Sequence, residues 1–146
     1  MEDQPEWGVV EELLKGGFKQ NDMCGVSYDA LRGGFTGSIL HYAASSGYEA
    51  MVQLCLDNGE DINSKGRNGW RALHFAAGGG HEATVRQLLR RGANKNARTR
   101  NGSTALHLAV LEEYTATARL LIDNGVDKKA KDNLGRTALL LLLRNM

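Results

Sequence analysis

The 146-residue sequence contains one proline and two cysteines, and it lacks any long apolar segment. Two cysteines, Cys24 and Cys55, are too few for a disulfide framework or a four-cysteine metal site. The longest apolar run, at 138–143, is far shorter than the roughly 20 residues of a membrane-spanning helix. The acidic start, with no apolar region behind it, predicts no signal peptide. These absences favour an intracellular protein, either cytoplasmic or nuclear.

Net charge is nearly balanced over the whole chain, at +1, but it is strongly uneven along the sequence. Residues 1–64 carry three Lys or Arg against eleven Asp or Glu, whereas residues 65–104 carry nine against one. Such a separation sets up a field along an elongated molecule and favours partners of opposite charge. The alternative interpretation is that these charges only solvate the surface.

A leucine–histidine pair recurs every 33 residues, and a leucine–leucine pair continues the series. The pairs are Leu40-His41, Leu73-His74, Leu106-His107 and Leu139-Leu140. A fixed period of this length indicates stacked helical units, none of which buries its apolar face alone. Apolar residues three and four apart, such as Val85, Leu88 and Leu89, place one stripe of each second helix against the next unit.

The segment TALHLA at 104–109 resembles the T-P-L-H-x-A signature of the ankyrin repeat. All four copies lack the proline of that signature. Glycines at 59, 92 and 125 agree in phase and suit the left-handed ends of second helices. The resemblance implies an all-α ankyrin-repeat solenoid of stacked helix pairs with hairpin fingers. Complete repeats are expected at 36–68, 69–101 and 102–134, with a half-repeat at 135–146.

Both ends depart from the period. Residues 1–35 are predicted to form an N-terminal capping helix and an enlarged finger loop, because 10–17 match the second-helix register while the glycine spacing is nine residues too long. At the other end, the second helix that should cover residues 138–143 is missing. Exposed leucines there are an aggregation hazard. This suggests either a fragment of a longer array or self-association through the leucine-rich end.

Histidine is the most tempting candidate for chemistry. The four histidines lie where the ankyrin pattern expects histidine, and in that family the signature histidine holds loop backbone groups. Repeat-related side chains lie on successive layers, about 10 Å apart, which is too far for one metal ion. No nucleophile triad, phosphate-binding loop or carboxylate pair has a supporting context. We therefore expect no enzyme activity, no catalytic or metal site, and no cofactor.

The resemblance implies a non-catalytic protein–protein interaction module or scaffold, which binds its partner through finger tips and the concave first-helix face. Aromatic residues and arginines dominate binding hot spots. The candidate partner-binding residues are Tyr42, Lys65, Arg67, Trp70, Arg71, Phe75, Arg98, Arg100, Ser103 and Leu108. For Tyr42, Phe75 and Trp70 the alternative is local packing. An acidic protein surface is the expected partner.

Two other functions stay open from the sequence. The basic central repeat suggests binding of nucleic acid or anionic lipid, although its arginines are expected on two faces and a phosphate track needs one continuous stripe. Head-to-tail self-assembly, with the acidic N-terminal end against the basic middle, is the other alternative.

Overall fold

The computed structural model describes residues 39–144, and this part of the chain is entirely helical apart from its loops. None of its helices is long and apolar enough to cross a membrane. The α-helices are α1 Ile39–Ser46, α2 Glu49–Asp57, α3 Ala72–Gly78, α4 Glu82–Arg90, α5 Ala105–Leu111, α6 Thr115–Asp123 and α7 Ala138–Arg144, and a 3-10 turn spans Arg67–Gly69. Helices α3, α5 and α7 begin 33 residues apart, as do α2, α4 and α6. The predicted all-α stack of helix pairs is confirmed.

The helices form two layers. Helices α1, α3, α5 and α7 pack side by side in the first layer, and α2, α4 and α6 pack side by side in the second. Small residues permit the close approach of the first-layer helices, and Ala43, Ala76 and Ala109 are fully buried. In the second layer, the apolar stripe of each helix faces the core, as at Leu88 and Leu121. The core is therefore continuous along the stack.

Buried histidines attach the loops to the first layer. The Nε2 atoms of His41 and His74 lie 3.0 Å from the carbonyl oxygens of Ser64 and Ala97, respectively. The Nδ1 atom of His74 accepts the backbone N–H of Arg71 at 2.9 Å, so Nε2 carries the proton that is donated to the loop. These contacts confirm a structural role for the repeating histidine.

His107 makes the same kind of contact in the third repeat but reaches a different loop position. Its Nε2 lies 2.8 Å from the carbonyl oxygen of Arg136, which belongs to the next finger. Thr104 precedes helix α5, and its side-chain oxygen accepts the backbone N–H of His107 at 3.3 Å. This is the N-terminal cap that threonine favours.

Between consecutive helix pairs the chain forms a tight finger turn. Equivalent backbone hydrogen bonds span the three turns, from Gly66 N to Trp70 O, from Thr99 N to Ser103 O, and from Asp132 N to Arg136 O. Adjacent fingers are also joined sideways, because Arg100 N donates to Asn68 O at 2.8 Å and Asn133 N donates to Asn101 O at 2.9 Å. The fingers therefore form a connected row.

The turn between the helices of a pair needs a left-handed residue. Gly47 and Gly80 supply it in two repeats, with φ of 74° and 73°, but the third repeat has Glu113 at φ 64°. A side chain at Gly80 would collide with the ring of Tyr114, which comes from the following repeat. Within residues 39–144 no following repeat presses on Glu113 in this way. A side chain is therefore tolerated there despite the backbone strain.

The predicted N-terminal capping helix and enlarged finger lie outside the described residues. The repeat boundaries at 36, 69, 102 and 135 stay predictions. At the C-terminal end, helix α7 is present and buries Leu141, while Leu139, Leu140, Leu142 and Leu143 are exposed.

The environment of His74 predicts a loss of stability in acid. The pKa of His74 falls from 6.5 to about 4, mainly because of burial; the hydrogen bond to Ala97 opposes the shift, and the nearby Arg71 charge adds to it. The unfolded chain therefore takes up this proton near pH 6.5 and the folded chain only near pH 4. The stability that neutral His74 contributes to the fold is complete above pH 6.5. As the pH falls from 6.5 to 4, this contribution to the free energy of unfolding decreases by on the order of 3 kcal/mol.

Between pH 7 and pH 4, we expect the free energy of unfolding of the native chain, measured in urea, to fall by about 3 kcal/mol more than that of His74→Gln. The substitution lowers stability at every pH, so the test is the difference in slope rather than the absolute value. Carboxylate titrations are common to both proteins and cancel. Equal slopes would show that His74 takes up its proton equally well in the folded chain.

The strained turn predicts a stabilising substitution. Glu113→Gly should raise the free energy of unfolding by about 0.5–1 kcal/mol, because a left-handed residue with a side chain is strained and glycine is not. Glu112→Gly is the matched control, since Glu112 has a φ of −89° and gains nothing from glycine. Equal destabilisation of both variants in urea would refute the strain at Glu113.

Candidate functional site

The first helices and the fingers together form one side of the described stack, which we call the finger face, and the predicted binding residues belong to these elements. Trp70 follows the first finger and lies at the start of helix α3, and Phe75 is in that helix. Their ring centroids are 5.1 Å apart, and the Phe75 ring is 5.3 Å from that of His41. Trp70 and Phe75 are both half-buried. The structure thus brings the two predicted aromatic anchors together.

The indole of Trp70 lies back along helix α3 rather than against a neighbouring finger. A Cβ atom added at Gly78 would lie 3.5 Å from the indole ring, and Trp70 is also 6.2 Å from His74 between ring centroids. The indole therefore packs beside Gly78 at ordinary contact distance. Trp70 is half-buried, so local packing and partial exposure coexist at this residue.

Tyr42 belongs to a separate aromatic pair. Its ring packs edge-on against Tyr48, with centroids 5.9 Å apart, inside the first helix pair. Tyr42, Phe75 and Leu108 occupy the same position in successive repeats. Leu108 is only 8% exposed, so it packs into the molecule and offers little surface to a partner. Of these three positions, Phe75 presents its ring beside Trp70.

The cations of the finger face fall into two groups. Lys65, Arg67, Arg98 and Arg100 are exposed, and Arg71 is half-buried. Arg71 and Arg98 differ from the others because they hold loops: Arg71 Nε donates to Asn63 O at 3.1 Å, and Arg98 Nε donates to Gly102 O at 3.2 Å.

Arg98 also connects neighbouring fingers, since its Nη2 donates to the carbonyl oxygen of Lys131. Arg71 stands where the third repeat has the capping Thr104, and it has the same extended backbone. Ser103 is half-buried, and its backbone closes the second finger. These residues shape the finger face. Among the predicted arginines, Arg67 and Arg100 are the two whose side chains make no hydrogen bond within residues 39–144.

Potential catalytic groups on the described part of the chain have inert environments. Cys55 is fully buried, and burial, with Glu60 adding to it, raises the pKa of its thiol to about 12. Burial also lowers the pKa of His41, against the effect of its hydrogen bond to Ser64. His81 uses Nε2 to reach the carbonyl oxygen of Ser45 at 2.9 Å. Within 39–144 no three His, Cys, Asp or Glu residues gather as a metal site would require.

One surface was not among the predicted binding residues. An apolar groove runs between helices α5, α6 and α7 at the C-terminal end, and Val110, Ile122 and Leu142 lie at its centre. The sequence signal for it is the run of leucines at 139–143, most of which are exposed in α7. That signal does not identify the residues of α5 and α6 that line the groove with them.

Comparison with known proteins agrees with this architecture. The model of a family described as "Ankyrin repeats (3 copies)" matches residues 6–99 and, in a second register, residues 40–132. Together the two matches span most of the chain. No curated protein matches the chain significantly.

The two groups of arginines predict different effects on stability. Arg71→Ala and Arg98→Ala should each lower the free energy of unfolding by about 1 kcal/mol, because each removes hydrogen bonds to loop carbonyls. Arg67→Ala and Arg100→Ala should change it by less than about 0.5 kcal/mol, because these exposed side chains make no hydrogen bond within residues 39–144. Urea unfolding of the four variants measures this. Similar losses in all four would remove the distinction between arginines that hold loops and arginines that do not.

Proposed function

Because the chain belongs to the ankyrin-repeat family, we propose that it is a non-catalytic protein-binding module that takes its partner on the finger face. Ankyrin repeats are in general protein–protein interaction modules. The observation that supports this face is the half-buried Trp70–Phe75 pair beside the exposed arginines of adjacent fingers. Aromatic and arginine side chains in such a combination are typical of binding hot spots.

The finger face is preorganised for binding. Backbone hydrogen bonds from Arg100 to Asn68 and from Asn133 to Asn101 fix each finger to the next. The side chain of Asn133 adds a third bond, from Nδ2 to the carbonyl oxygen of Arg100 at 2.9 Å. Because these loops are already ordered, a partner docks without a large loss of loop entropy.

An acidic surface is the partner chemistry that fits. Arg67 and Arg100 occupy equivalent tips in neighbouring fingers, and Lys65 lies at the base of the first. These charges draw a negatively charged partner toward the face and orient it. Trp70 and Phe75 then supply apolar area at the centre of the contact.

Binding of nucleic acid or anionic lipid is less well supported. Arg86 and Arg90 are exposed on helix α4, in the second layer, whereas Arg67 and Arg100 are on fingers beside the first layer. The basic charge is divided between two regions rather than gathered into one continuous phosphate track with stacking aromatics. Head-to-tail self-assembly and self-association through the C-terminal end stay predictions.

The proposal is tested by comparing the proteins that the native chain and its variants recover in a quantitative pulldown. We expect partners of the native chain to fall at least tenfold with Trp70→Ala/Phe75→Ala, and also with Arg67→Glu/Arg100→Glu. Each change removes contacts that a partner on the finger face requires.

Arg86→Glu/Arg90→Glu is the matched control, because it makes the same change in net charge on the second layer. It should leave recovery unchanged. Circular dichroism confirms that each variant remains folded. Partners that survive both finger-face variants, or that are lost with the second-layer control, would place the binding surface elsewhere.

A further inference from the structure

Asparagine followed by glycine occurs four times in the sequence, at 58–59, 68–69, 101–102 and 124–125. The pair is chemically labile, because the backbone nitrogen of the glycine attacks the side-chain carbonyl carbon of the asparagine and glycine has no Cβ atom to hinder it. All four asparagines are exposed. Since the following residue is the same at each site, differences in reactivity have to come from the surrounding structure.

Asn58 and Asn124 follow second helices, and their side chains are held there. Their Nδ2 atoms donate to the carbonyl oxygens of Leu54 and Leu120, both at 2.8 Å. The following glycine nitrogens are also bonded, to carbonyl oxygens of the same helices at 3.1 and 3.0 Å. Two hydrogen bonds therefore have to open before the glycine nitrogen reaches the side-chain carbon.

Asn68 lies in the 3-10 turn of the first finger and is less restrained. Its side-chain amide makes no hydrogen bond within residues 39–144, and the bond from Gly69 N to Gly66 O, at 3.1 Å, holds the attacking nitrogen. Its backbone has φ 58° and ψ 24°, and among the four asparagines this one is left-handed. A residue with a side chain is strained in that conformation, so opening of the turn releases strain.

Asn101 has the equivalent position in the second finger, but its glycine is enclosed. Gly102 is buried, and its nitrogen donates to Thr99 O at 2.8 Å. A Cβ atom added at Gly102 would lie 2.5 Å from Oδ1 of Asn133, in the third finger, whereas the nearest atom at Gly69 would be 3.1 Å away. The contact between the second and third fingers therefore protects Asn101.

We propose that Asn68 is a modification site, which loses its side-chain amide spontaneously and thereby separates the first finger from the second. The nitrogen of Gly69 forms a bond to Cγ of Asn68 and gives up its proton. The Cγ–Nδ2 bond breaks, so ammonia leaves and a five-membered imide remains. Water then adds to one of the two imide carbonyls and opens the ring. The products at position 68 are aspartate and isoaspartate, and in isoaspartate the main chain runs through the former side chain.

The isoaspartate product disrupts the row of fingers. The carbonyl oxygen of Asn68 accepts the backbone N–H of Arg100 at 2.8 Å, and this bond joins the first two fingers. In isoaspartate that carbonyl becomes part of a free carboxylate and the main chain is longer by one carbon, so the bond loses its geometry. Both products also place a carboxylate next to Arg67, which lowers the positive charge of the finger face.

The test incubates the full 146-residue chain at mildly alkaline pH in water enriched in a heavy oxygen isotope, and peptide mapping by mass spectrometry gives the modified fraction at each site. We expect Asn68 to be modified at least about threefold faster than Asn58 and Asn124, because one hydrogen bond fewer has to open. Asn101 should also be slower than Asn68. In urea the chain is unfolded, so the four rates should converge. A folded chain in which Asn68 is not the fastest site, or a ranking that persists in urea, would overturn the proposal.

The effect on the fingers is measured by hydrogen exchange, resolved by NMR, on the isoaspartate form after its separation by ion exchange. We expect the amide of Arg100 to exchange at least about threefold faster than in the native chain. The amide of Asn133, which donates to Asn101, should be unchanged. Asn68→Asp is the matched control, because it adds the same charge without lengthening the main chain and should keep Arg100 protected.

A second variant removes the reaction itself. Asn68→Gly suits the left-handed backbone and cannot form the imide, so its incubation should leave the exchange of Arg100 constant. Native exchange at Arg100 in the isoaspartate form, or the same loss of protection in Asn68→Asp, would show that the longer main chain does not separate the fingers and would overturn the proposal.

Discussion

The structure depends on the contact between consecutive helix pairs. No single pair has enough apolar surface on its own inner side to form a core, and each buries its stripe only against its neighbours. Fully buried alanines at the first-layer crossings, such as Ala76 and Ala109, show how close that approach is. Any larger side chain at these crossings has to separate two helices. The distance between consecutive helix pairs, and with it the distance between adjacent fingers, follows from this contact.

Buried histidines connect the core to the binding surface. A loop that leaves the core has backbone carbonyls that need hydrogen-bond partners, and His41 and His74 supply them from the first layer. The imidazole is suited to this because one nitrogen accepts a backbone N–H while the other donates to a carbonyl. The histidine recurs because each loop needs the same hydrogen bonds. These recurring histidines could be taken for a catalytic or metal site, but the hydrogen bonds of the loops explain them.

The sequence predicts the backbone arrangement much better than it predicts side-chain positions. The helix pairs and the left-handed ends of the second helices at Gly59, Gly92 and Gly125 follow from the 33-residue period, because register determines which backbone positions are equivalent. The roles of Arg71 and Arg98 do not follow from it. Whether a long side chain extends into solvent or reaches a loop carbonyl depends on non-local distances, such as that from Arg98 to the neighbouring finger. The same limit applies to Trp70, whose ring packs beside Gly78, eight residues further along the chain.

The finger face depends on the order of the loops, and the loops depend in turn on the core. Backbone hydrogen bonds join adjacent fingers, so the finger face presents its side chains at fixed positions. In the third repeat, His107 connects helix α5 to the finger that contains Arg136, and Asn133 donates to Asn101 in the preceding finger. The last described finger is therefore held both by the core and by the row of fingers.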